Sequence, residues 1–221
     1  MEEIPLSEHP GRYADRGVFV CFEGGEGAGK STQAAALEAW LTSEGYAVRH
    51  TFEPGDTEVG RRVRQIVLDP ATGSLADRTE ALLYAADKAE HVETVVLPAL
   101  ARGEVVVTDR YVDSTLAYQG AGRTLDVAEV ERVARWATGD LRPHLTVLLD
   151  LEPSAGLERF EGRDRIEQES LGFHQRVRAS FLALAAADPQ HYLVLDARCP
   201  VEELTAAVRA RVEPLLGQAT R

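Results

Sequence analysis

The stretch Gly24-Gly25-Glu26-Gly27-Ala28-Gly29-Lys30-Ser31 constrains this chain more than any other. It satisfies the pattern G-x-x-x-x-G-K-[ST] at every fixed position. Before it, Gly17 to Glu23 reads as a short apolar strand. After it, Thr32 to Trp40 is rich in alanine and favours a helix. Strand, glycine loop and helix form the setting in which backbone N–H groups turn inward and cradle phosphate oxygens. The start of the helix adds a favourable dipole. Lys30 is placed to reach the terminal phosphates of a nucleotide, and the Ser31 hydroxyl to ligate magnesium.

The rest of the chain repeats that strand–helix alternation. Apolar strands are predicted at Val18–Phe22, Ala47–Thr51, Val105–Thr108, Leu145–Asp150 and Tyr192–Leu195. Helical patterns fall at Ser31–Ser43, Glu58–Leu68, Thr79–Arg102, Val127–Ala137, Ser154–Phe160, Gln168–Ala187 and Val201–Leu216. This order predicts an α/β fold, a five-stranded parallel sheet flanked by helices. Residues 17–221 are expected to form one domain, preceded by a polar, poorly ordered tail over 1–16. Ligands of such sheets bind beyond the carboxyl ends of the strands. Glu53-Pro54-Gly55 and Asp109-Arg110-Tyr111 fall at strand ends of that kind.

Charge restricts the partners. The net charge is −12 and no block of basic residues occurs, so neither nucleic acid nor an anionic membrane is an expected partner. Any phosphate site must be a local concentration of cations. The two cysteines, Cys21 and Cys199, lie far apart without metal-ligand spacing. Cys21 is expected in the core, and a reducing cytoplasm is the expected location. The first residues lack an apolar signal segment. Lys30 and Lys88 are the only lysines, whereas arginine is abundant, so a retained lysine is more informative here than an arginine.

Asp109 ends an apolar strand, where phosphate-loop enzymes place a carboxylate that serves magnesium. Arg110 beside it is suited to a second phosphate, because its guanidinium bonds phosphate in two places. The charged segment 161–169, with Arg163 and Arg165, reads either as a solvated loop or as a lid that closes over a transferring phosphoryl group. Glu26 would repel nucleotide phosphates. It is better placed to accept a hydrogen bond from a second substrate.

With these residues in place, the sequence resembles the bacterial thymidylate kinase family over Gly17 to Leu216. The resemblance rests on Phe22 to Thr32, Glu53-Pro54-Gly55, Glu80 to Lys88 and Arg165 to Glu169. Its most specific part is Asp109-Arg110-Tyr111-Val112-Asp113-Ser114-Thr115-Leu116-Ala117-Tyr118-Gln119-Gly120. It implies a P-loop nucleoside monophosphate kinase fold, transfer of phosphate from ATP to dTMP with Mg²⁺, and a homodimer.

The resemblance also implies roles. Gly24, Gly25, Glu26, Gly27, Ala28, Gly29, Lys30, Ser31 and Thr32 bind ATP, with Arg198 at the adenine. Ser31 and Asp109 serve the metal. Glu26 takes the sugar 3′-OH. Arg64 and Arg110 take the acceptor phosphate near Glu53. Tyr84 stacks on thymine, Leu68 packs against it, and Ser114, Thr115 and Gln119 line its pocket. Tyr118 crowds the 2′ position. Lys30, Asp109, Arg110, Arg163 and Arg165 form the catalytic set. With no arginine between Gly25 and Ala28, the lid is of the type that supplies arginines itself.

Three positions depart from the family pattern. Phe52 replaces an arginine, and Asp56 replaces a glycine. Either Arg61, Arg62 and Arg64 offset Asp56, or it points to solvent. Lys88 stands where the family has an arginine that contacts thymine O4, and is expected to donate to O4 with a looser geometry. Two rivals share the loop. One is another nucleoside monophosphate kinase, acting on UMP, CMP or a deoxynucleotide. The other is a nucleotide-dependent switch. A guanine-reading N-K-x-D motif is excluded, because the chain has no asparagine.

Overall fold

The computed structural model describes residues 11–158 and 164–220. Five parallel strands, β1 (Val18–Glu23), β2 (Val48–Phe52), β3 (Val105–Asp109), β4 (Leu145–Asp150) and β5 (Tyr192–Asp196), lie in the order β2-β3-β1-β4-β5. The order reverses around β1, which pairs with both β3 and β4. That reversal opens a crevice at the carboxyl ends of the strands. Phe22 and Phe52 both pair with Asp109, so β1, β2 and β3 end level. Glu23, Glu53 and Arg110, the residues that follow those three paired positions, therefore share one rim.

Both faces of the sheet are covered, which explains the near-continuous apolar strands. Val18, Val20 and Phe22 face α1 (Lys30–Ser43) and α9 (Val201–Val212) through Leu37, Leu41, Val208 and Val212. Phe19, Cys21 and Val106 face the other way, onto Val92, Val96 and Leu100. Leu148 packs on Phe173, Val177 and Phe181 of α8 (Leu171–Ala187). Cys21 is buried and free, as expected, and Cys199 is exposed.

Local chemistry sets the helix ends. Thr57 caps α2 (Glu58–Leu68) through Gly60 N at 2.8 Å. Asp126 caps α6 (Val127–Thr138) through Glu129 N, and Ser170 caps α8 through Phe173 N. The predicted 79–102 helix is three pieces: α3 (Asp77–His91), a π turn at Val92–Val96, and α4 (Leu97–Ala101). Pro98 has no N–H and crowds the carbonyl one turn back, so the ladder widens there. Likewise, the last helix ends at Val212 and tightens to a 3₁₀ turn around Pro214.

Residues 112–122, for which no element was expected, form the short α5 (Val112–Thr115) and a π segment (Leu116–Gly122). Two bonds five residues apart, Arg123 N to Tyr118 O and Leu125 N to Gly120 O, mark the wide turn. The helix predicted at 154–160 is described as α7 (Pro153–Leu157), and Arg159 and Phe160 lie outside the described residues.

Within the tail assigned to 1–16, residues 1–10 lie outside the described residues. From Arg12 on, the chain is docked. Arg12 N bonds Asp140 O at 2.9 Å, Arg142 N bonds Arg12 O at 2.8 Å, and Tyr13 stacks on His191.

Candidate active site

One cavity of about 730 Å³ at the crevice is lined from Glu26 to Thr32 at one end and by Arg64, Leu68, Tyr84, Lys88, Ser114, Thr115 and Gln119 at the other. Asp109, Arg110 and Tyr118 also line it. The sequence-predicted residues from several separate strand ends and helices thus meet in one space.

The phosphate loop depends on glycine at two tight points. Gly24 has φ 139°, and a Cβ there would sit 2.4 Å from Leu149 O. Gly27 has φ 68° and would clash with the Gly156 backbone. Lys30 curls over the loop and donates to Gly24 O at 3.0 Å and Gly25 O at 2.8 Å. Burial, and then the neighbouring Arg110 guanidinium, push its ammonium below its usual value. A phosphate anion would replace those carbonyls as a better partner for this desolvated cation. The Ser31 hydroxyl donates to Asp109 Oδ2 at 2.5 Å, so two hard oxygen ligands stand together at the loop's end.

Arg110 has φ 72°, a left-handed conformation rare for a non-glycine residue. Its N–H holds Phe22 O at 2.9 Å, which turns the side chain over the loop. The guanidinium donates to Glu26 Oε1 at 2.7 Å and Ser114 Oγ at 3.1 Å, and lies 4.9 Å over the Tyr118 ring. Tyr118 also donates to Glu26 Oε1, at 2.6 Å. Glu26 Oε2 has no hydrogen-bond partner among the described residues. Burial pushes the Glu26 carboxyl up, but Arg110, Lys30 and Tyr118 outweigh it and hold it at about 2.

Behind the rim, charges are buried in pairs. Glu53 Oε2 accepts from Lys88 Nζ at 2.7 Å and Oε1 bonds His91 Nδ1 at 2.7 Å, with Lys88 and Glu53 side chains 2% and 0% exposed. His91 Nε2 meets Thr51 Oγ1 at 2.6 Å. Lys88 spends one of its three donors on Glu53 and has no further partner among the described residues. Asp56 neither points to solvent nor leans on Arg61, Arg62 or Arg64. It accepts from Arg49 Nη2 and Thr51 Oγ1, each at 2.7 Å. Arg64 donates to Pro54 O at 2.8 Å beside the cis Glu53–Pro54 bond. The Thr115 Oγ1 is buried without a partner among the described residues, in the wall of the cavity.

Two predicted residues, Arg165 and Arg198, are not brought there, and Arg163 lies outside the described residues. Arg165 was expected over the phosphates. Instead its guanidinium is spent on Glu80 and on Val67 O at 2.8 Å, and it does not line the cavity. The buried Glu80 carboxylate is the strongest acceptor within its reach. Arg198 is exposed and folds back on Asp196. Conversely, sequence reasoning missed Asp164, Ile166 and Glu167, which line the cavity from the 161–169 segment, and the supporting residues Glu80, His91 and Thr51. Asp164 Oδ1 accepts from Ile166 N and Glu167 N, a turn that an aspartate before a short charged run can signal.

Two buried acids oppose Glu26 in their pH response. Burial, with Asp113 nearby, pushes Glu23 up to about 7 despite its bonds to Tyr111 N and Ser114. Burial, then Glu53, pushes Asp87 up to about 6. For Glu26, whose folded pKa lies below its unfolded value, stability is present above about pH 4.5 and lost as pH falls towards 2. For Glu23 and Asp87 the folded state holds the proton more tightly, so stability falls as pH rises from about 4 through 7. The melting temperature should therefore fall as the pH rises through that window. Asp87→Asn should flatten the slope, and an unchanged slope would contradict the assignment.

A family model described as thymidylate kinase matches residues 22–208. The chain is 56% identical over 202 residues to a thymidylate kinase of Cutibacterium acnes, covering 91% of this chain and 99% of that one. It is 53% identical to those of Clavibacter michiganensis, covering 90% and 96%, and Deinococcus radiodurans, covering 89% and 97%.

Proposed function

The chain belongs to the thymidylate kinase family, and from that premise we propose how its cleft works. The protein is a phosphotransferase that converts dTMP to dTDP, with ATP as co-substrate, in nucleotide biosynthesis. The observation that carries the proposal is the single cavity with the phosphate loop at one end and Arg64, Arg110, Tyr84 and Gln119 at the other. It supports two nucleotides held end to end.

The ATP phosphates lie in the Gly24–Thr32 loop, where Lys30 leaves its carbonyls for them. Ser31 and Asp109 would hold Mg²⁺, which fits their paired hard oxygens and supplies charge neutralisation at the phosphates. Arg110 and Arg64 hold the dTMP phosphate. Its second pKa near 6 leaves it largely dianionic, so no strong base is needed. A phosphate oxygen of dTMP attacks the γ-phosphorus of ATP, the bond to the β-phosphate oxygen breaks, and ADP leaves. Positioning and cations supply the acceleration.

Glu26 Oε2 is free to accept the sugar 3′-OH, and Tyr118, pinned to Oε1, crowds the 2′ position. Tyr84 stacks on the base, Leu68 closes its edge, and Ser114 and Thr115 line it. Lys88 keeps donors for O4 while Glu53 anchors it. Arg163 belongs to the lid over 161–169 and reaches the phosphates on closure, with Arg165 at its root. Arg198 serves the adenine. Exposed Val59, Ile66 and Leu82 on the neighbouring helices α2 and α3 support a homodimer. Among the described residues no helix is long and apolar enough to cross a membrane. We place the enzyme in the cytoplasm, with no nucleic-acid partner.

Arg110→Ala tests the acceptor end. One lost charge-assisted pair should cost about 10–100-fold in kcat/KM for dTMP, with a smaller change in the ATP KM. Steady-state kinetics with an unchanged dTMP term would sink the assignment.

A further inference from the structure

Gln119 stands in the wall of the cavity on the π segment, and its amide has two chemically opposite ends. Its Nε2 donates to Glu80 Oε1 at 2.9 Å. Its Oε1 has no partner among the described residues. Glu80 is 1% exposed and sits in the first turn of α3. Besides Gln119 it accepts from Arg123 Nε and Nη2, both at 3.0 Å, and from Arg165. Burial pushes its carboxyl up, but the bonds from Arg123, Gln119 and Arg165 outweigh burial and lower it. Glu169, the other acid in the cluster, is taken by Arg123 Nη1.

An ionised carboxylate only accepts hydrogen bonds. Glu80 therefore decides which way the Gln119 amide lies: the NH₂ must face Glu80 and the carbonyl oxygen must face the cleft. Were Glu80 neutral or absent, the amide would be free to turn over. Arg165 ties the same carboxylate to the end of α2, through Val67 O at 2.8 Å and its own N–H on Leu68 O at 2.9 Å. The lid root, the α2 end and the amide share one anchor.

We infer that Glu80 is a positioning residue for base selection, holding the Gln119 carbonyl toward the cleft so that it accepts from a pyrimidine that carries a proton on N3. The inference rests on reading the cleft as the dTMP site. Thymine has that N3 proton and an O4 acceptor for Lys88. Cytosine presents a bare N3 acceptor to the Gln119 oxygen and an amino donor to the Lys88 ammonium. Both cytosine contacts are repulsive, so selection works by rejection as well as attraction.

The test compares dTMP with 5-methyl-dCMP, which keeps the methyl group and changes only the hydrogen-bonding edge. In Glu80→Gln a neutral amide can donate to the Gln119 oxygen and turn its NH₂ into the cleft. The preference for dTMP, as a ratio of kcat/KM values, should fall by about tenfold or more, with the ATP KM unchanged. Arg123→Met removes two of the bonds to Glu80 and leaves that of Gln119. It should lower the melting temperature yet keep the preference within about twofold.

A preference retained in Glu80→Gln, or lost equally in Arg123→Met, overturns the inference. Should Glu80→Gln fail to fold, nitrogen-15 NMR of the unsubstituted protein decides. The Gln119 NH₂ protons should be protected from solvent exchange in the free protein, where Glu80 holds them, and freely exchanging NH₂ protons there overturn the inference. Failure of the unsubstituted protein to phosphorylate dTMP overturns the reading of the site itself.

Discussion

Lys30→Ala is expected to lower kcat by about a thousandfold while the KM for dTMP stays within about threefold. Lys30 lines the loop end of the cavity, and its ammonium is desolvated and, among the described residues, hydrogen-bonded to two backbone carbonyls. A cation in that position is worth most where charge shifts during transfer, and removing one preorganised donor typically costs 10²–10³ in turnover. The acceptor is held at the other end of the cleft, so its binding should be spared. Stability should hold as well. Burial and Arg110 disfavour the charged lysine while Glu26, Asp109 and Glu23 favour it, so alanine removes opposing effects and the melting temperature should move by no more than about 2 °C. A turnover within tenfold of the unsubstituted enzyme would remove Lys30 from the mechanism.

Lys88→Met should have the largest effect on stability. The pair it breaks is fully buried, and Glu53 is left with a carboxylate that water cannot reach. Breaking such a pair from one side costs about 3–5 kcal/mol, because the remaining charge is uncompensated. At roughly 2–4 °C per kcal/mol for a domain this size, the melting temperature should fall by about 6–20 °C. His91 cannot take over alone, since one of its nitrogens is already on Glu53 and the other on Thr51. Lys88→Arg restores a cation with donors to spare for both Glu53 and the base, and should recover most of the stability and the dTMP affinity. Loss of under 1 kcal/mol in the methionine variant would show that the pair is no anchor.

These residues also show what the sequence made legible. The glycine loop, the strand ends and Asp109-Arg110 were readable because each function is local: a pattern of neighbouring residues dictates the backbone that holds phosphate. Supporting contacts were not. Glu80 and Gln119 are 39 residues apart, and Glu53 and His91 are 38 apart. Nothing in either neighbourhood announces the pairing. Neither alternative for Asp56, an offset by Arg61, Arg62 and Arg64 or a place in solvent, holds, because its partner Arg49 sits on the preceding strand and offers no helical spacing.

Arg165 was assigned to the phosphates on charge and resemblance, yet Glu80 competes for it from a buried position. The two π segments escaped for a further reason. Widening a turn by one residue leaves the apolar period nearly intact, so Leu116 to Gly122 carried no signal although it delivers Tyr118 and Gln119 to the cleft.

The account stands on two nucleotides meeting in one cleft, and a coupled assay of ADP release across acceptors tests that directly. With ATP and magnesium present, ADP release should be slow without an acceptor, rise steeply with dTMP, and rise far less with UMP, CMP or dCMP. Release of ADP at one rate, whether or not dTMP is added, would contradict it.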